Sequence, residues 1–148
     1  MKLNEIPVAV VPADAAGVPL NAPALLHEIA DLLARLVDTG EATSIDLRSL
    51  PLTPADYAFL EEALGRGEVE VEVQAAGPTH VHETGVNGVW WVKHFNALEE
   101  VAGELLEITY VPEILKTHPS DAALGLERLR ARLQSTMTPA AEGDSDAG

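Results

Sequence analysis

The chain of 148 residues contains no cysteine. This absence excludes disulfide bonds, thiolate catalysis and cysteine-ligated zinc or iron–sulfur sites. The chain also lacks an apolar run near the ~20 residues that a membrane-spanning helix needs. No signal peptide is predicted, because the N-terminal stretch has one lysine and its short apolar run is interrupted by Pro7 and Pro12. We therefore expect a soluble, cytoplasmic protein.

Basic residues are scarce, with 9 lysines and arginines against 24 acidic residues, and the net charge is −15. Such a charge disfavours binding to phosphate backbones and to anionic membranes. Neither a nucleic acid nor a membrane is therefore expected as a partner. The excess of acid favours a basic protein partner, or it serves only to keep the chain soluble.

The alternation of polar and apolar residues predicts β-strands in the second half of the chain. In residues 67–75, glutamates alternate with valines, which gives a strand one acidic face and one apolar face. Three further strands are predicted at about 79–86, 89–95 and 103–111. Asn87-Gly88 lies between two of them and is typical of a tight type I′ hairpin turn. Residues 44–47 are an additional candidate for a short strand.

Helical spacing and capping residues predict three helices. Asn21 can cap a helix that begins at Ala22, and Thr53 with Pro54 and Asp56 is a typical helix start. A last helix is predicted from Ser120. The first helix has an apolar stripe made of Leu25, Leu26, Ile29, Leu32, Leu33, Leu36 and Val37. The last helix is expected to direct Ala122, Leu126, Leu129 and Leu133 inward.

These patterns predict an α+β fold, with a four-stranded, mainly antiparallel sheet and helices packed on one of its faces. Residues 1–20, rich in proline and alanine, are expected to form an extended N-terminal arm. Residues 21–134 are expected to form a single domain. Residues 135–148 have no apolar periodicity, so we expect a disordered acidic tail.

Histidines are the candidate metal ligands of this chain. His80 and His82 are two apart in a strand and share a face, and His94 lies across the hairpin. If the hairpin has a two-residue turn, the residue numbers of each facing pair sum to 175. If it has a four-residue loop, they sum to 173. Both registers place His94 on the opposite face, so no metal site is expected without a β-bulge.

Trp90 and Trp91 are neighbours in a strand, so their side chains point to opposite faces of the sheet. Trp90 shares its face with valines and is expected to be buried. Trp91 shares its face with Lys93, His80 and His82, which predicts an exposed tryptophan suited to anchoring a partner. The alternative is that helices cover this face and that Trp91 packs beneath one.

No spacing typical of a catalytic site occurs in this chain. There is no nucleophile elbow, no glycine-rich phosphate loop after a strand, no HExxH zinc motif and no calcium-loop pattern. The carboxylates at 68, 70 and 72 are expected to lie in solvent on one strand face, and without a pocket they form a charged face and not an acid–base pair. We therefore expect neither an enzyme nor a bound cofactor.

Four segments together resemble the C-terminal conserved region of the HupH/HyaF family of hydrogenase expression proteins. They are SLPLTPAD (49–56), LGRGEVEVEV (64–73), HETGVNGVWWVKH (82–94) and ELLEITYVPEIL (104–115). The resemblance lies in their order and spacing and covers about residues 49–115, with weaker similarity to residue 135. Members of this family are typically longer, and the family has no established catalytic residues to carry over.

The resemblance implies a role in maturing a nickel–iron uptake hydrogenase. The implied partner is the precursor of the iron–sulfur small subunit before its export, with other maturation proteins as further partners. Two alternatives are a metal-handling protein that uses His80 and His82 for nickel or iron, and a non-catalytic scaffold that forms a homodimer. The expected partner-binding residues share one sheet face or its edge: Glu68, Glu70, Glu72, His80, His82, Trp91 and Lys93.

Overall fold

The computed structural model describes the backbone of residues 17–147 and the side chains of residues 17–136. Most of the predicted N-terminal arm lies outside this range. The chain divides after Pro112 into two compact units, where the sequence had predicted one domain over residues 21–134. The elements of the first unit are α1 (Ala22–Thr39), β1 (Thr43–Asp46), a 3-10 turn (Leu47–Ser49), α2 (Pro54–Leu64), β2 (Glu70–Val73), β3 (Thr79–Glu83), β4 (Val89–Phe95) and β5 (Val101–Ile108).

The sheet has five strands in the order β1-β5-β4-β3-β2, and every neighbouring pair is antiparallel. The α+β class and the antiparallel pairing are confirmed, but the predicted number of four strands is wrong. The additional strand is β1, in which Ile45 pairs with Leu106 of β5. The sequence offered residues 44–47 only as a candidate for a short strand, because four residues carry little alternation, and the long-range pairing with β5 is what defines β1.

The turn between β3 and β4 is longer than the predicted type I′ turn. The Thr84 N–H donates to the Val89 carbonyl at 3.0 Å, and the Thr84 hydroxyl donates to the same oxygen at 2.8 Å. Gly88 has a φ of +98°, whereas Asn87 does not have the positive φ that a type I′ turn requires. The positive φ is what favours glycine at this position, since a Cβ there would come too close only to the terminal Cδ1 of Leu33, at 2.8 Å, and that side chain can shift.

Helices α1 and α2 pack on one face of the sheet, as the sequence predicted. Their buried side chains form one cluster with the inward residues of the sheet, which are Ile45, Val89, Trp91, Leu106 and Ile108. The helices contribute Ala22, Leu25, Ile29, Leu36, Leu60 and Leu64. Val37, predicted to belong to the stripe of α1, is 69% exposed because it lies at the edge of the stripe in the last turn.

Asp56 joins the beginnings of the two helices. Its Oδ1 accepts hydrogen bonds from the backbone N–H groups of Asn21 and Ala22 at 2.9 and 3.0 Å. Its Oδ2 accepts from the backbone of Thr53, which completes the predicted capping box of α2. The start of α1 is confirmed, but Asn21 makes no side-chain cap, since Asp56 supplies the acceptor. Burial raises the pKa of Asp56, and the backbone hydrogen bonds outweigh burial and lower the pKa to about 2.

The second unit contains a 3-10 turn (Glu113–Leu115) and α3 (Pro119–Ala147). The leucines of α3 that were expected to point inward are exposed, and Ala122 is exposed with them. Helical spacing identifies an apolar stripe but does not show what covers it, which explains this error. Residues 135–147 continue α3 in place of the predicted disordered tail. Among the described residues, no helix is both long enough and apolar enough to cross a bilayer.

Candidate partner-binding groove on the sheet

The β3–β4 ladder determines which predicted site residues share a face. His82 pairs with Trp91, and His80 pairs with Lys93. This register corresponds to the predicted four-residue loop, with paired numbers that sum to 173. The predicted grouping of these four residues on one face is therefore confirmed.

The acidic strand β2 extends the same face to the edge of the sheet. Glu70 pairs with His82, and Glu72 pairs with His80. Glu70 and Glu72 therefore lie beside the two histidines, as expected if the first acidic strand joined the hairpin. Glu68 precedes β2 and is exposed, but it has no partner in this ladder. Six of the seven predicted residues thus lie on one continuous face.

Trp91 is buried, with 2% of its surface exposed, so the prediction of an exposed anchor is wrong. Helices α1 and α2 cover the part of this face that contains Trp91, Leu106 and Ile108, and Trp91 is part of their common core. Its indole stacks on the ring of His82 with centroids 6.0 Å apart, and its Nε1 donates to Glu104 at 2.7 Å. Residue parity assigned Trp91 to the correct face but could not show where the helices end.

Trp90 occupies the opposite face and is buried, as predicted, with 8% of its surface exposed. Its Nε1 donates to the backbone carbonyl of Thr109 at 3.2 Å. Val81 and Val92 pair with each other on the face of Trp90 and are also buried. The two tryptophans therefore belong to opposite sides of the sheet, and each has a hydrogen-bond partner for its indole.

A groove of about 150 Å³ lies where the helices leave the sheet uncovered. Trp91 contributes to its lining, as does Val81, although the Val81 side chain belongs to the opposite face. Glu61 of α2 and Arg66 beyond the helix lie on one side of the groove. The remaining lining residues come from the strands: Glu70, His80, His82, Lys93 and Phe95. The ring of Phe95 is half-buried and meets His80 edge to face at 5.1 Å, so it remains accessible as an aromatic surface.

Charges of both signs alternate around the groove. Arg66 bonds Glu70 at 2.8 Å, and His80 lies 3.7 Å from Glu72. Lys93 lies 3.7 Å from the buried Glu104. The Arg66–Glu70 pair lies at the exposed edge of the groove, where solvent screening makes it weak. Lys93 differs, because its acidic neighbour Glu104 is buried.

Among the titratable groups that line the groove, His82 has a pKa that its surroundings clearly shift. Burial lowers the pKa of His82, and the positive charges of Arg66 and Lys93 lower it further, while Glu70 opposes the shift. The lowered pKa favours the neutral form of His82 at pH 7. A neutral imidazole that stacks on an indole offers a flat polar surface at the floor of the groove.

His94 lies on the opposite face, as both predicted registers required. It pairs with Thr79, whose hydroxyl lies 2.8 Å from the His94 Nδ1. Within the described part of the chain, no group of three or more histidine, aspartate or glutamate side chains could hold a metal ion. The bulge that could have brought the histidines together falls beyond His94, between β4 and β5.

Sequence reasoning missed Arg66, Phe95 and Glu104. Glu104 was identifiable, since it alternates with Leu106 and Ile108 and so had to share their buried face. Phe95 has the parity of Trp91 and Lys93 at the end of the same strand. Arg66 lies in the connection between α2 and β2, and no periodic pattern relates such a residue to a sheet face.

The fold and the groove define a small α+β domain with a mixed-charge groove beside an edge strand. Residues 19–136 match the family model of the HupH hydrogenase expression protein, C-terminal conserved region. The chain belongs to this family. The match begins at residue 19 and so includes α1, which the motif resemblance over residues 49–115 did not cover.

Curated relatives agree with this assignment. The chain is 31% identical over 125 residues to the hydrogenase expression/formation protein HupH of Rhizobium leguminosarum bv. viciae, covering 84% of this chain and 44% of that protein. It is 30% identical over 111 residues to the hydrogenase-1 operon protein HyaF of Escherichia coli (strain K12), covering 74% and 38%. The chain thus spans less than half the length of each of these two relatives.

A solved structure supports the fold directly. The hydrogenase expression protein HupH from Thiobacillus denitrificans ATCC 25259 is 40% identical, and the two structures superpose with a TM-score of 0.76. The match covers 80% of this chain and 99% of that chain. The α+β architecture described above is therefore shared with a member of the same family.

Proposed function

We propose that this chain is a non-catalytic accessory protein for the maturation of a nickel–iron hydrogenase and that it binds the precursor of the iron–sulfur small subunit. The family and the names of its relatives support the general role. The observation that carries the binding role is the groove left uncovered by the helices, in which charged and aromatic side chains surround a floor formed by His82 on Trp91.

Charge supports a basic segment as the part of the client that is bound. Glu68, Glu70 and Glu72 lie on or next to the edge strand β2, in a chain whose net charge is −15. An exported precursor with a twin-arginine signal carries adjacent arginines, which such an acidic edge would attract. These glutamates would mainly raise the encounter rate and make binding sensitive to salt.

Aromatic and imidazole groups would hold the client once it has arrived. Phe95 and His80 form the accessible ring surface of the groove, while His82 on Trp91 forms its floor. In this proposal Trp91 supports the floor and does not itself enter the client. Lys93 is held by the buried Glu104, and it offers a donor for a carbonyl of an extended client segment.

The test is a calorimetric titration of the purified small-subunit precursor into the 148-residue chain. Phe95→Ala should weaken binding by about thirtyfold, the typical effect of truncating an interface anchor worth ~2 kcal/mol. A Glu70→Lys, Glu72→Lys double variant should bind several-fold more weakly at low salt and lose most of that difference at high salt.

The matched control is Asp31→Lys, which reverses an exposed acid on α1 away from the groove and should leave binding unchanged. Melting temperatures of all variants show whether each remains folded. The proposal is wrong if the wild-type protein does not bind the precursor. It is also wrong if the groove variants bind as tightly as Asp31→Lys.

A further inference from the structure

The helix α3 carries a row of leucines that is exposed along its length. Leu126, Leu129 and Leu133 are 48%, 54% and 56% exposed, and Ala122 precedes them as another exposed residue. Their spacing of four, three and four residues is the a and d pattern of a two-helix interface. The row spans about 16 Å of helix. We call these four residues the α3 stripe.

Single exposed leucines are ordinary on protein surfaces, but an aligned row marks an interaction surface. Leu124 on the same helix provides the contrast, because it is 42% exposed yet lies on the opposite side from the stripe. Beside the stripe, Gly125 has open space where a side chain would be, since a Cβ there would meet nothing within 4 Å. A second helix could approach the stripe closely at this point.

Charge around the stripe distinguishes possible partners. Three of the nine basic residues of the chain are Arg128, Arg130 and Arg132, and the last two flank the stripe at the e and g positions. In an antiparallel pair of these helices, Arg130 lies opposite Ala123 of the second helix, and Arg132 lies opposite Gly125. No like charges meet across such an interface.

The layers of the interface also favour the antiparallel orientation. Pairing Leu126 with Leu129 of a second helix pairs Ala122 with Leu133, so each of the four layers contains a leucine. A parallel pair would place Ala122 against Ala122 and leave one layer poorly filled. In the antiparallel pair the positive end of each helix dipole lies beside the negative end of the other, which adds a small favourable contribution.

We propose that a second copy of this chain covers the α3 stripe and that the two α3 helices pair antiparallel. The stripe contains only two heptads, fewer than the three to four that sustain a stable coiled coil. The dimer is therefore weak and depends on concentration. This inference concerns α3 alone and does not depend on the client that binds the groove.

Sedimentation equilibrium of the full chain over a wide concentration range tests the proposal. The expected result is a monomer–dimer equilibrium that Leu129→Arg shifts fully to monomer. Leu124→Arg is the matched control, because it introduces the same charge on the opposite side of the helix and should leave the dimer intact. A wild-type chain that stays monomeric at all concentrations would overturn the proposal. A dimer that persists in Leu129→Arg would also overturn it.

Disulfide cross-linking tests the orientation, and the absence of native cysteine makes every cross-link informative. Leu126→Cys chains carrying a mass tag are mixed with untagged Leu129→Cys chains and oxidised. The antiparallel pair predicts mainly tagged–untagged dimers, because only these bring the two sulfurs within bonding distance. Cross-linking of Leu129→Cys to itself as the main product would overturn the antiparallel arrangement.

Discussion

The Nε1 of Trp91 donates a hydrogen bond to Oε2 of Glu104 at 2.7 Å, and both side chains are buried. Lys93 Nζ lies 3.7 Å from the same oxygen. The buried carboxylate thus has a donor from the core and a positive charge from the groove. This arrangement fixes the indole that forms the groove floor, and it connects the stability of the domain with the shape of the surface proposed to bind a client.

Trp91→Ala should lower the free energy of unfolding by ~3–5 kcal/mol, since it removes a large buried side chain and leaves Glu104 without its donor. Trp91→Phe should cost less, because the ring remains and only the hydrogen bond is lost. Urea denaturation measures both, with Glu104→Gln as a control that keeps an acceptor for the indole. Wild-type stability in Trp91→Ala would contradict the burial described here.

Asp56→Ala should destabilise the domain by about 1–2 kcal/mol or more, because one carboxylate caps two helices. The pKa of Asp56 is lowered from 3.8 to about 2, so its stabilising effect is complete above the unfolded-state pKa and is lost as pH falls through about 2. Melting curves between neutral and acidic pH should show that the wild-type protein loses stability as pH falls, and Asp56→Asn should remove the part of this loss that is due to Asp56. Asp31→Asn, on the exposed side of α1, is the control and should lose stability with falling pH as the wild-type protein does.

The lowered pKa of His82 should be measurable by NMR titration of its ring protons. Lys93→Met removes one of the positive charges that lower this pKa and should raise it, whereas Glu70→Gln should lower it further. Because the folded-state pKa is depressed, the contribution of neutral His82 to stability is lost as pH falls below about 6.5. An unchanged titration in both variants would mean that burial alone sets this pKa.

No tight nickel or zinc binding is predicted, because the β3–β4 register places His94 away from His80 and His82. Calorimetric titration of metal-free protein should show no site tighter than roughly micromolar. If a one-to-one site of nanomolar affinity appeared and then disappeared in a His80→Ala, His82→Ala double variant, the metal-handling alternative would replace the proposed function.

Truncation after Ser135 should leave the β-sheet unit intact, since residues 136–148 carry no apolar periodicity with which to pack. The melting temperature of the shortened chain should lie within about 2 °C of the full chain, as expected for a change of a few tenths of a kcal/mol. Circular dichroism at 222 nm should fall by the helical signal of the removed residues. A much lower melting temperature would show that the segment packs on the fold.

The sequence by itself determined the elements whose signals are local. Alternation located the strands of the second half, capping residues located the starts of α1 and α2, and strand parity placed Trp91 with Lys93, His80 and His82. The resemblance in four segments also identified the family. The strands, the helix starts and the strand faces depend on a backbone period of two or 3.6 residues, or on a cap within one helical turn, and such signals need no distant partner.

Only the tertiary structure decided which parts of a face are covered and which distant residues meet. It placed α1 and α2 over Trp91 while leaving His80 and His82 in a groove, and it paired the short strand β1 with β5. It also showed that the single carboxylate of Asp56 caps both helices, accepting a hydrogen bond from the backbone N–H of Ala22, which is 34 residues away. Burial and long-range hydrogen bonds depend on where helices dock in space, and no local period of the chain encodes that position.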